Sequence, residues 1–210
     1  MRLLQLSFLL LAALVTSAPV LVPVPVVKTI PILSTSQLQL AKLVVGALGS
    51  ADDYTRGKFH HWINLGSGCN TREIVLRREG VNVVNKKCHA KSGLWTSLYD
   101  GSTWESPADI QIDHMVPLKN AWMSGANKWS PAKRESFAND LVRPQLWAIT
   151  GSVNNDKGSL TPDLWRPPLT IAYCNYAKSW IAVKSYYNLI VTEEEKLALE
   201  EMLKYCTEDM

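Results

Sequence analysis

Residues 109–118 read DIQIDHMVPL, and residues 144–158 read PQLWAITGSVNNDKG. In the first stretch Ile110 and Ile112 alternate with Gln111, the period of a half-buried strand, and Asp113 and His114 arrive just before the break at Pro117. In the second, Leu146 to Thr150 form a short strand that stops at Gly151, and Ser152 stands where it can cap a helix carrying Asn154, Asn155 and Lys157. A carboxylate and an imidazole delivered together can divide labour. Asp113 is a hard oxygen ligand suited to Mg²⁺, and His114, with an ordinary pKa of about 6.5, accepts a proton near neutrality. Neighbours on a strand point to opposite faces, so a shared site requires the backbone to bend there. Asn154 adds a neutral oxygen, Lys157 a positive charge, and the start of the helix a set of free N–H groups that attract phosphate.

These strings resemble the HNH (His-Me finger) nucleases, in which Asp-His ends the first strand and Asn-x-x-Lys-Gly lies on the following helix. The wider pattern is similar to a secreted branch related to the C-terminal domain of the GmrSD restriction endonucleases. Its blocks stand here as Cys-x-x-Arg at 69–72, DHxVPL at 113–118, AWxSGA at 121–126, NDLxxPQL at 139–146, VNxxKG at 153–158 and Trp-x-Pro-Pro at 165–168. The blocks run in order across about residues 54–206, and the order is more specific than any block alone.

The resemblance implies an α+β fold with a ββα-metal core and additional helices. It also implies metal-dependent hydrolysis of DNA or RNA phosphodiesters. His114 is then the general base, and Asp113 and Asn154 are ligands of a divalent metal, Mg²⁺ or Mn²⁺. Counting back from Asn154, the middle position that usually helps orient the histidine falls at Gln145, an amide on a longer stem than the usual asparagine. Arg72 is a candidate for a transition-state phosphate, weighed evenly against a structural ion pair, and Lys157 is a candidate phosphate contact. The adjacent His60 and His61 read as ordinary core or surface histidines rather than metal ligands.

Composition bounds the rest. The chain has 210 residues, with 22 Lys+Arg against 19 Asp+Glu for a net charge of +3, and 47% apolar residues. That is one medium globular domain and excludes disorder, collagen and a long coiled coil. Residues 1–18 read as a secretory signal peptide, residues 19–33, rich in Pro and Val, as a linker or pro-segment, and residues 34–210 as a single domain. The signal peptide implies secretion. No later apolar run is long enough to span a bilayer, so the mature protein is expected off the membrane, and a monomer is expected. In that oxidising setting Cys69, Cys88, Cys174 and Cys206 favour two disulfides. Of the three possible pairings, Cys69 with Cys88 and Cys174 with Cys206 close moderate loops and are preferred.

A first helix is expected from the caps at Ser34–Ser36 to a stop at Gly49. A terminal amphipathic helix starts with a capping box at Thr192 and Glu195, and its acids read as a solvated face. Between Arg72 and Lys91 six basic residues outnumber two acids, and Lys86 and Lys87 on an expected hairpin are candidates for tracking a nucleic-acid backbone. The eight tryptophans raise a rival class, a carbohydrate-binding module, although those flanking the motif are more simply core. A third reading is an inactive effector on the same fold, encouraged only by Gln145.

Overall fold

The computed structural model describes residues 28–66 and 68–207. The signal-peptide reading of 1–18, and the linker reading as far as residue 27, lie outside the described residues. From residue 28 onward the expected linker already rests on the domain. Lys28 pairs with Glu79 at 2.6 Å, and Ile30 and Leu33 pack against the main core.

Helix α1, Leu33–Lys42, is shorter than expected: it turns Ser36 and Leu40 inward and leaves Leu38 exposed. The chain then becomes extended because its backbone finds better partners elsewhere. Val45 bridges Val191, Gly46 N–H donates to Val191 at 2.9 Å, and Gly49 N–H donates to Met123 at 2.8 Å. Helix α2, Thr71–Glu79, is capped by Asn70, whose side chain accepts from Glu73 N–H. It leads into the antiparallel hairpin β1, Val81–Lys86, and β2, His89–Thr96, to which the short strand β3, Thr103–Trp104, is added. Gly80 makes this junction possible: a Cβ there would lie 2.5 Å from Trp95 Nε1.

The decisive unit follows. Strand β4, Ile110–His114, pairs antiparallel with β5, Leu146–Thr150, in a register that sets Ile110 opposite Thr150 and His114 opposite Leu146. Helices α3, Leu118–Met123, and α4, Pro131–Ala138, fill the connection. Helix α5, Gly151–Lys157, leaves β5 without a break and packs on both strands, so Ser152 lies inside the helix, and Thr150 holds the cap position. Helices α6, Tyr173–Tyr187, and α7, Glu193–Leu203, complete an α+β fold.

One face of β4 and β5 buries Ile110, Ile112, Leu146 and Ala148 against Val75, Leu76 and Trp95. The opposite face supplies Trp147 and Ile149 to a larger core built around Tyr176, Trp180 and Ile181 of α6. The cysteines pair as preferred, Cys69 with Cys88 and Cys174 with Cys206. The capping box at Thr192 forms, its hydroxyl accepting from Glu195 N–H at 3.1 Å. The acidic face is not wholly solvated: Glu195 is fully buried against Lys184 at 3.0 Å, fastening α7 to α6. None of the eight tryptophans is exposed, and among the described residues no helix is long and apolar enough to cross a membrane.

Candidate active site

The strand geometry sends Asp113 and His114 to opposite sides of β4. His114 is 5% exposed, and its Nε2 lies 2.9 Å from the Ala138 carbonyl at the end of α4. A carbonyl only accepts, so Nε2 carries the hydrogen and Nδ1 is the ring's proton acceptor. Burial, only partly offset by that carbonyl, pushes the His114 pKa down to about 3, so the ring is neutral at neutral pH. Trp62 stacks on it with centroids 5.4 Å apart and planes 26° apart, and His61 stands edge-on at 6.4 Å. Gln145 does not orient this ring. Its amide donates to Val116 O at 2.9 Å and accepts from Val116 N–H at 3.1 Å, while its own carbonyl takes Met115 N–H at 2.7 Å. The amide thus fixes the turn before Pro117, and a backbone carbonyl holds the imidazole.

On the other side each oxygen of Asp113 accepts one hydrogen bond. Oδ1 accepts from Lys157 Nζ at 2.8 Å and Oδ2 from the Tyr99 hydroxyl at 2.6 Å. Lys157 also donates to the His114 carbonyl at 3.0 Å and is 0% exposed, so its ammonium points inward, away from any phosphate in solvent. Burial lowers the Lys157 pKa against the pull of Asp113; burial and the Asp113 charge hold the Tyr99 phenol well above its ordinary value. Asn154, half-buried on α5, donates to Gln111 Oε1 at 2.8 Å. Sequence reasoning missed Tyr99, Trp62 and Ala138. A lone Tyr, a lone Trp and a backbone carbonyl carry no spacing signal.

Both sides border one cleft of about 770 Å³, whose lining includes Trp62, Arg72, Asp113, His114 and Asn154. Among the described residues its charged lining is Arg56, Arg72 and Lys119 against one acid, Asp113, itself matched by Lys157. The wall is therefore electropositive and suits a polyanion. Arg72 is aimed by two backbone carbonyls, Pro107 at 2.8 Å and Ile110 at 3.1 Å, with Glu73 at 3.6 Å. The remaining basic segment divides. Arg78 is buried on Leu141 O and Leu146 O beside Glu79, Arg77 lies within 4.0 Å of both sulfurs of the Cys69–Cys88 bridge, and Lys86 and Lys87 are exposed at the hairpin turn.

Among the described residues no group of three or more His, Cys, Asp or Glu side chains is arranged to hold a metal ion. The oxygen donors that the motif brings to the cleft wall are the Asp113 carboxylate and the Asn154 amide, and Gln111 and Asn155 add further amide oxygens to the lining. One carboxylate and one neutral oxygen fit a hard divalent cation that takes its other ligands from water and substrate phosphate. The ammonium of Lys157 on the same carboxylate weakens that fit when no phosphate is present.

A sequence model of the family described as GmrSD restriction endonucleases, C-terminal domain, matches residues 75–202. An uncharacterized secreted protein of Arthroderma benhamiae is 50% identical over 201 residues, which cover 95% of this chain and 98% of that protein. No solved structure matches the chain.

Proposed function

Because the chain belongs to the family of the GmrSD restriction endonuclease C-terminal domain, we propose that it is a secreted endonuclease that hydrolyses DNA or RNA phosphodiesters with the help of a divalent metal. The observation that carries this reading is His114. The Ala138 carbonyl holds it in one tautomer, with Nδ1 as the acceptor, on the wall of a cleft whose other charges are mainly Arg and Lys.

In the proposed reaction Nδ1 of His114 takes the proton of a water molecule as its oxygen attacks phosphorus, and the bond from phosphorus to the leaving oxygen breaks, that oxygen taking a proton from a second water molecule. A phosphate beside the ring favours the imidazolium and so counters the burial that keeps the free ring neutral. Arg72, whose guanidinium is fixed before substrate arrives, meets the charge that grows on the phosphoryl oxygens. Asp113 and Asn154 would hold the divalent ion, which when bound would polarise the phosphate and stabilise the charge on the leaving oxygen. Lys157 and Tyr99 keep the Asp113 carboxylate in one orientation.

Secretion is supported by the name of the A. benhamiae relative and by the two disulfides. The rival carbohydrate reading lacks its platform, since no tryptophan is exposed. The inactive-effector reading leaned on Gln145, and the hydrogen-bond partner of His114 Nε2–H is instead the Ala138 carbonyl, which supports an imidazole oriented without that amide. Purified protein is expected to degrade plasmid DNA or RNA with Mg²⁺ or Mn²⁺ and to stop with EDTA, and His114→Ala to slow turnover on the order of 10²- to 10⁴-fold with the circular dichroism spectrum unchanged. Equal rates for the variant and the parent protein would remove His114 from the mechanism. Digestion that persists in EDTA would remove the metal.

A further inference from the structure

We propose that Trp62 is a positioning residue for His114, an indole wall that holds the imidazole plane against the Ala138 carbonyl. This rests on His114 as the general base and extends it to a residue outside the matched family segment.

Trp62 has a backbone φ of 58°, in the left-handed region that a bulky aromatic residue almost never adopts. Such conformations persist only where the surroundings over-determine them, and they gather at functional sites. The over-determination here comes from Asn139. Its Oδ1 accepts from Ile63 N–H at 3.2 Å and from the Thr71 hydroxyl at 2.7 Å, and its Nδ2 donates to His60 O at 2.8 Å and Glu135 O at 2.9 Å. One buried amide therefore grips the chain on both sides of His61 and Trp62 and fastens that loop to α4. The next residue back along the chain is Ala138, whose carbonyl takes the His114 Nε2–H.

The indole that this loop presents lies in offset-stacking range of the imidazole. His61 closes a further side, edge-on to both rings. Its own ring is fixed by Nδ1–H to Phe59 O at 2.9 Å and by Arg56 Nε donating to Nε2 at 3.2 Å. A single hydrogen bond lets an imidazole pivot about the bond axis, whereas a hydrogen bond and a stacked face together leave it one plane. The plane that contains Nδ1 is thereby set before substrate binds, and misplacement of a reacting group by about 1 Å costs on the order of 10²-fold in rate.

The test compares Trp62→Leu and Trp62→Phe in the full protein. In a ¹H–¹³C spectrum with the His114 ring signals assigned by loss in His114→Gln, those protons are expected upfield in the parent protein, to stay partly shifted in the Phe variant, and to move downfield in the Leu variant. On plasmid or RNA the Leu variant is expected to lose kcat on the order of tenfold to 10²-fold at nearly constant KM, and the Phe variant to recover most of it. Unmoved His114 ring signals in the Leu variant, or a parent-like kcat, would overturn the proposal. A rise in KM alone would also overturn it, assigning Trp62 to substrate stacking. If the parent protein cleaves no nucleic acid, the nuclease reading falls, and ¹³C relaxation of the His114 ring still decides the proposal: a ring rigid in the parent and mobile in the Leu variant supports it, and a ring equally rigid in both overturns it.

Discussion

Lys157 and Asp113 sit beneath His114 as a buried ion pair, 0% and 4% exposed. Removing one partner of such a pair strands a charge in a dry interior, whereas removing both takes away the desolvation cost together with the attraction. Lys157→Met is therefore expected to cost about 3 to 5 kcal/mol in urea unfolding, and adding Asp113→Asn to restore a large part of it. A double variant as unstable as the sum of the two single ones would show that the pair is not coupled. The pairing also marks how far single residues can be read from sequence. Asp113, His114, Asn154 and Lys157 are visible because the motif spacing binds them together. The direction of Lys157 is not, since a lysine at that spacing can face solvent or the interior. The partner of His114 is invisible in principle, because a backbone carbonyl has no residue identity.

At the level of elements, local pattern located β5 and the start of α7 to the residue, and placed β4 within one or two. In these segments the hydrophobic period and the caps agree with the tertiary environment. Local pattern failed at α1, where Leu43 and Leu48 continue a helical period but the backbone from Val44 onward bonds to Val191 and Met123. It failed also for residues 59–63, which have no period because their conformation is imposed from α4 through Asn139. Asn139 joins this loop, α2 at Thr71 and α4 at Glu135 with four hydrogen bonds. Replacing it by Ala leaves buried donors and acceptors unpaired, at roughly 1 to 3 kcal/mol for a group that finds no water. Asn139→Ala is expected to destabilise the protein by about 3 kcal/mol in urea unfolding and to lower turnover as Trp62→Leu does. A change below 1 kcal/mol would show that the loop holds its shape without the amide.

Across the whole molecule, the modest net charge of +3 conceals where the charges are used. Lys184, Lys157 and Arg78 are buried against Glu195, Asp113 and Glu79, so these three cations contribute little to the field outside. Arg56, Arg72 and Lys119 gather on one cleft, although they come from three separate parts of the chain. A count along the sequence finds its basic excess between residues 72 and 91 and misses this convergence, because it is made by folding. Lys86 and Lys87 carry much of that local excess, yet they stand at the hairpin turn and are not among the cleft residues. Each phosphate neutralised by the protein adds about 0.9 to the slope of log affinity against log salt on B-form DNA. Lys119→Ala is accordingly expected to reduce that slope by about 0.9 in a binding titration with the His114→Ala protein, while Lys86→Ala combined with Lys87→Ala leaves it unchanged. A smaller slope in the hairpin variant, with none in Lys119→Ala, would move the nucleic acid out of the cleft and onto the hairpin.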